Sequence, residues 1–319
     1  MEQTKAIRDM GSGAETIENS APPAKRRSKQ ARNEEICGTI MGALPVLSCL
    51  VFSVVPMALA LVMAFYKMRT PVSFTGAEFI WLDNFKEVVK DSNFWTAFLN
   101  TIIYSLTLPI SLVLALFIAA ALNATVKGTG VFRVILFLPF ICSSVAIVFV
   151  CKWLFDTNYG VLNEILGSKI GWLDSEWMFR FSLIVMMVWA QTGYKVILLS
   201  ASLTSVNQSY YEAADLDGAN RWQKLVHITV PAVSPTLFFL LVTGFISILQ
   251  LFSEVQVMDP TGGQSINYAA LTLVFYIYRQ GFNYNAMGVA AAASLLLTLV
   301  VLIITVFNFK ISKLWVKYD

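Results

Sequence analysis

Apolar residues fall into six long blocks separated by polar ones. Stretches free of Asp, Glu, Lys and Arg run from Cys37 to Tyr66, Ser92 to Val126, and Val134 to Cys151, the last continued past Lys152 by Trp153, Leu154 and Phe155. Three more run from Phe181 to about Leu203 across Lys195, from Leu225 to Ser253, and from Gln280 to Phe309. A helix needs roughly 20 mostly apolar residues to cross a hydrocarbon layer of ~30 Å, and each block reaches that length. The pattern predicts an all-α polytopic membrane protein with six transmembrane helices, at about 42–66, 97–124, 132–155, 181–203, 232–257 and 283–309. The fifth span is placed from Ala232 because Pro231 suits a helix start better than a helix middle. Residues 1–36 are polar and read as a disordered basic tail, ahead of a transmembrane domain over 37–319. A cleaved signal peptide does not fit, because the apolar block behind the tail is about 30 residues long.

Composition agrees with the pattern. The chain is 57% hydrophobic and 13% charged, against about 45–50% and about 25% in soluble domains. Charge then orients it. Lys and Arg concentrate in the tail and in the segments carrying Lys127, Arg133, Arg221, Lys224, Lys310, Lys313 and Lys317, more than in the alternate segments. The positive-inside bias places both termini, and the loop between spans four and five, in the cytoplasm. The tail either fixes topology against anionic lipid headgroups or binds a partner.

Several chemistries drop out. Gly-Lys occurs nowhere, so there is no P-loop to hold ATP phosphates, and His227 is the only histidine. We therefore expect neither an enzyme nor a metal or cofactor on this chain, and nothing points to nucleic acid. Cys37, Cys49, Cys142 and Cys151 have no C-x-x-C spacing and read as thiols packed among helices.

Apart from Arg133 and Lys152 near the ends of the third span, only Lys195 and Glu254 are charged within the spans. An ionised group at mid-membrane costs at least ~2.5–3.5 kcal/mol, so each either snorkels to an interface or faces water. Lys195 is expected to snorkel toward the cytoplasm, whereas for Glu254 an outer interface and a solute cavity stand level. Ser247, Gln250 and Glu254 recur at helical spacing, with Phe252 and Ser253 beside them, and the fourth span adds Trp189, Gln191 and Tyr194. These groups either line a cavity for a sugar, whose C–H face stacks on rings while its hydroxyls pair with polar side chains, or bond helix to helix. Glu254 argues against an anionic solute.

The longest polar interruption of the second half is SYYEAADLDGANRWQKLVHITVP, Ser209 to Pro231. Ser209 and Glu212 form an S-x-x-E capping box that predicts a short helix from Tyr210. Asp217-Gly218 predicts a left-handed stop, and Asn220 caps a second short helix carrying Arg221. A linker between neighbouring helices needs only about 2–8 residues. The region 208–224 is therefore more than a connection. Ala213 and Ala214 give its first helix a face that another protein can approach closely.

This stretch resembles the EAA loop of binding-protein-dependent ABC importer permeases, E-A-A-x-x-x-G then I-x-x-P, with Glu212, Ala213, Ala214, Gly218, Ile228 and Pro231 in the pattern. LDNF at Leu82–Phe85, NT at Asn100–Thr101, RVILFLP at Arg133–Pro139, TGG at Thr261–Gly263 and YIYRQGF at Tyr276–Phe282 resemble the carbohydrate branch, and the similarity covers the chain after about residue 40. Gln264 stands where that branch has Pro, so the outer loop is expected to turn differently. The resemblance implies a multi-pass subunit of a bacterial inner membrane. It also implies a heterodimer with a second permease, two copies of a cytoplasmic ATPase that binds ATP and Mg, and an extracellular solute-binding protein delivering sugar. By the same implication Glu212, Ala213, Ala214, Asp217, Gly218 and Arg221 engage the ATPase. The rival readings are a stand-alone channel or secondary carrier, a membrane scaffold, and an importer of another polar solute such as glycerol phosphate.

Overall fold

The computed structural model describes residues 29–69, 77–123 and 129–316, in two compact units that divide after Met57. The first unit contains α1 (Lys29–Cys49), followed by a widened π-helical turn at Leu50–Val54. Pro56, at the start of α2 (Val55–Met63), has no N–H to offer the carbonyl one turn back, which suits a widened turn there. Residues 29–36, expected as disordered tail, are helical: from Lys29 to Ile36 the chain is built of Lys, Gln, Ala, Arg, Asn, Glu and Ile, without Gly or Pro to stop a helix. The rest of the tail lies outside the described residues. Every side chain from Cys37 to Met57 is exposed within its unit.

The second unit starts with a two-residue antiparallel ladder, β1 (Tyr66–Lys67) on β2 (Glu78–Phe79), and α3 (Asp83–Lys90). The helices α4 (Ser92–Ser105) and α5 (Thr107–Asn123) form one span. Pro109 cannot bond back to Ser105, and the helix is interrupted at Leu106. Next come α6 (Thr129–Ile141), α7 (Ser144–Leu154), α8 (Val161–Leu166) and the long α9 (Glu176–Thr204). Two short helices follow, α10 (Gln208–Leu216) and α11 (Arg221–Lys224), then a π-helical turn at Leu225–Thr229 and α12 (Val230–Ala232). The chain ends with α13 (Ser234–Leu249), α14 (Ser253–Met258), α15 (Leu273–Tyr278) and α16 (Met287–Trp315).

Among the described residues four helices are long and apolar enough to span a membrane, and six spans result if each of two bent pairs counts as one. The third and fifth spans, expected as single helices at about 132–155 and 232–257, are both broken. α6 meets α7 at 101°, where Pro139 weakens the last turn and the extended Ser143 starts a new helix. The α11–α12 segment meets α13 at 70°, so Pro231 lies before the bend and a new helix starts after it at Ser234-Pro235. It also stops early. α13 ends at Leu249, and residues 250–252 are non-helical because Thr272 Oγ1 donates to the Leu251 carbonyl at 2.7 Å.

α9 is the central element, packed on α5 and α6. Its close approach to α6 needs Gly193, where a Cβ would sit 1.8 Å from the Leu136 carbonyl oxygen. Large apolar side chains such as Val134, Ile303 and Phe307 face outward, while Tyr104, Phe179 and Leu199 are fully enclosed, the distribution of a bundle solvated by lipid. Of the cysteines expected to pack among helices, only Cys151 is buried; Cys37 and Cys49 are exposed on α1, and Cys142 is exposed in the elbow between α6 and α7.

At the Glu176 end of α9, Asn100 is completely buried and pins the 259–272 loop. Its amide donates to the Tyr268 and Leu271 carbonyls at 2.8 and 2.9 Å, and its oxygen accepts from Arg180 Nε and Nη2 at 3.1 and 2.8 Å. Arg180 Nη1 reaches Glu176 at 2.5 Å, and Asn267 Nδ2 donates to the other Glu176 oxygen at 3.0 Å. Gln264 opens a single 3-10 turn after the left-handed Gly262 and Gly263. Replacing Asn100 with Leu strands the buried guanidinium and two loop carbonyls, at a cost of about 3 kcal/mol. The thermal midpoint of the purified protein is expected to fall by several degrees; an unchanged midpoint would show that Glu176 alone suffices to hold Arg180.

Candidate functional site

The first candidate site is the knob made by α10 and α11. Ser209 was expected to cap its first helix. The structure gives that role to Asn207, whose Oδ1 accepts from Ser209 N–H at 3.0 Å, and α10 begins at Gln208 with Ser209 inside its first turn. Both residues are good cap formers, and the earlier wins because α9 has already ended at Thr204. Glu212 is consequently free of a capping role and exposed. The stop is as expected: Gly218 has φ +74°, and the Gly218 and Ala219 N–H groups close on the Asp215 and Ala214 carbonyls. Asn220 caps α11 in a reciprocal box with Gln223, at 2.9 and 2.7 Å.

Internal bonds make the knob stiff. Lys224 pairs with Asp215 across the corner, and Tyr211 donates its hydroxyl to Thr229 Oγ1 at 3.0 Å, whose own proton goes to the Lys224 carbonyl. Trp222 stands edge-on to Phe117 of α5, 5.7 Å between centroids, fastening the knob to the bundle. What remains outward is Tyr210, Glu212, Ala213, Leu216, Asp217, Gly218 and Arg221, with Leu216 91% exposed. Ala214 turns half inward, beside a shallow groove shared with Ala219, Gln223 and His227. Tyr210, Ala213 and Leu216 follow one another at three-residue spacing on α10, so they set exposed apolar groups along one side of the knob, a candidate contact surface.

The second candidate is a cavity of about 420 Å³ between the α6–α7 elbow, α9, α13 and α14. It brings together Gln191, Tyr194, Ser247 and Glu254 of the expected solute residues. Four others are elsewhere. Trp189 is 46% exposed on another face of α9, Gln250 and Ser253 are exposed at the helix break, and Phe252 packs on Phe275 and Tyr278, 5.8 and 5.1 Å away. The expected single face through residues 247, 250 and 254 does not exist because the helix is interrupted between them.

Lys195 also departs from expectation. It does not snorkel: only 3% exposed, it turns into the bundle, donating to Ser111 Oγ on α5 and to Gln191 Oε1 at 3.3 Å, and it lines the cavity. Its inclusion was readable from spacing, since positions 187, 191, 194 and 195 share one helix face with 190. Tyr194 stacks flat on Phe140, 4.6 Å between centroids and 13° between planes, giving the wall an aromatic plate. Ser144 and Thr243 add hydroxyls that the sequence reading missed, Ser144 because it depends on the elbow.

The comparisons with known proteins fall on this architecture. Residues 111–314 match the family described as binding-protein-dependent transport system inner membrane component. The probable ABC transporter permease protein YesP of Bacillus subtilis (strain 168) is 34% identical over 93% of this chain and 96% of its own length. The lactose transport system permease protein LacF of Rhizobium radiobacter is 32% identical over 90% of this chain and 97% of its own. A chain from the crystal structure of a bacterial ABC transporter involved in the import of the acidic polysaccharide alginate superposes with a TM-score of 0.77, at 26% identity, covering 90% of this chain and 99% of that one. The chain therefore belongs to the binding-protein-dependent inner-membrane components, the permease subunits of ABC transporters.

Proposed function

We propose that this chain forms half of the translocation pathway of an ATP-driven importer for sugars or oligosaccharides, paired with a second homologous permease. A cytoplasmic ATPase, present in two copies with ATP and Mg, grips the knob, and an extracellular binding protein delivers the solute. The knob, both termini and the basic tail face the cytoplasm. The observation that carries the reading is the knob: a braced, glycine-cornered helix whose exposed face holds Ala213, Leu216 and Glu212. Glu212 and Arg221 supply charges of both signs for a partner, and Ala213 permits close approach. The names of LacF and of the alginate transporter support a carbohydrate solute.

Coupling follows from differential contact. The ATPase pair must hold α10 with different free energies when closed and open, or nothing is transmitted. Closure draws α10 inward, α11 and α12 follow through the Lys224–Asp215 and Tyr211–Thr229 ties, and the 70° bend passes the movement to α13. α13 carries Thr243 and Ser247 of the cavity, so its movement changes solute access. The test is purification of the tagged chain from its native membrane. An ATPase and a second permease of similar length are expected to co-purify, with sugar uptake into vesicles requiring ATP. Uptake by the isolated chain driven by an ion gradient would replace the importer with a secondary carrier.

A further inference from the structure

The cavity carries an electrostatic asymmetry that points to the charge of its solute. Lys195 is 97% enclosed, yet both of its acceptors are neutral, Ser111 Oγ and Gln191 Oε1. Ser111 spends its own proton on the Leu108 carbonyl at 3.0 Å. An ammonium has three protons, and among the described residues the third has no partner and no carboxylate lies within ion-pair distance. A second feature of the same sign lines the same cavity. The 11-residue α7 begins at the elbow, and Cys142, Ser144 and Ile147 at its start line the cavity. No side chain caps that end and its first turn holds no acidic residue, so its positive dipole end is open to the space that Lys195 faces. Half-helix ends at mid-membrane commonly meet anionic groups of a transported solute.

Glu254 lines the same cavity. It is only half-buried, on the six-residue α14, and has no hydrogen bond or ion pair among the described residues. One carboxylate against an ammonium and a helix terminus worth about half a charge leaves the cavity favouring a single negative charge. A dianionic phosphate would exceed it.

We propose that the cavity is a carboxylate subsite and that the cargo is an acidic oligosaccharide, one whose sugar rings carry uronic carboxylates. The carboxylate takes the third proton of Lys195 and the amides that open α7; a sugar ring lies on the Tyr194–Phe140 plate; Gln191, Thr243, Ser247 and Glu254 take the hydroxyls. This inference rests on the sugar-importer reading.

The test uses the complete importer in proteoliposomes with its binding protein, reading solute-stimulated ATP hydrolysis. The probes are trigalacturonate, the neutral trisaccharide maltotriose and sn-glycerol 3-phosphate. Trigalacturonate is expected to stimulate most. In Lys195→Gln the trigalacturonate-to-maltotriose ratio is expected to fall at least tenfold, and Lys195→Arg to restore most of it. Stimulation by maltotriose alone would overturn the acidic-solute proposal while leaving the sugar importer standing. Stimulation by glycerol phosphate alone would overturn both. A Lys195→Gln importer that assembles and keeps the wild-type ratio would also overturn the proposal.

Discussion

A Gly193→Val permease is expected not to accumulate as a folded protein. The new Cβ would lie 1.8 Å from the Leu136 carbonyl oxygen, 2.5 Å from its carbon and 3.0 Å from the Phe137 Cα, all backbone of α6. Backbone cannot rotate aside as a long side chain would. Relief requires α6 to move off α9, and with it the elbow and one wall of the cavity. Overpacking a well-packed interior costs about 1–3 kcal/mol when neighbours can adjust, and more where the neighbour is main chain, so a loss above ~4 kcal/mol is expected here. Fluorescence-detected size exclusion from membranes reads it directly. Gly42→Ala, where a Cβ meets nothing within 4 Å, serves as the control and should run as wild type. A monodisperse, normally abundant Gly193→Val protein would contradict the packing of α6 on α9.

Gly218→Val is expected to fold and yet not work. A Cβ at Gly218 meets nothing within 4 Å, so the whole cost is its φ of +74°, about 1–3 kcal/mol for a residue held in the left-handed region and worst for a β-branched one. That strain falls on the corner between α10 and α11, away from the bundle. The corner opens, the Lys224–Asp215 tie across it loosens, and α10 no longer presents Ala213 and Leu216 in a fixed direction. Chromatographic behaviour should match wild type while solute-stimulated ATP hydrolysis and uptake fall together by tenfold or more. Gly218→Asn should keep much of the activity, because Asn tolerates the left-handed region. Wild-type uptake by Gly218→Val would remove the mechanical role assigned to the corner.

Much of this architecture was legible in the residues. Membrane thickness dictates the length of an apolar run, so the blocks mark the spans whatever their packing. Gly218 and Asn220 announce the corner because few residues suit a left-handed stop or a helix cap. The breaks were harder. Pro139 and Pro235 were visible, but the third and fifth spans were drawn as single helices through the apolar runs, and a run says nothing of the angle between its halves. The interruption at 250–252 depends on Thr272, more than twenty residues away, reaching the Leu251 carbonyl. That interruption turned Phe252 away from the cavity and undid the face drawn through Gln250. Lys195 was misplaced because a long cationic chain normally seeks the interface; its helix face, shared with Gln191, was readable from spacing, but the Ser111 of α5 that also accepts its hydrogen bond was not.

The most direct test of the central claim is site-specific photocrosslinking from position 213 in cells producing the whole system. With α10 seated on a separate nucleotide-binding subunit, a photoreactive residue in place of Ala213 is expected to capture that ATPase in high yield, with a yield that changes when hydrolysis is arrested. A photoreactive residue in place of Phe52, on the apolar surface of the first unit, should give no such product. Efficient transport with no ATPase captured from position 213 in any nucleotide state would contradict the account.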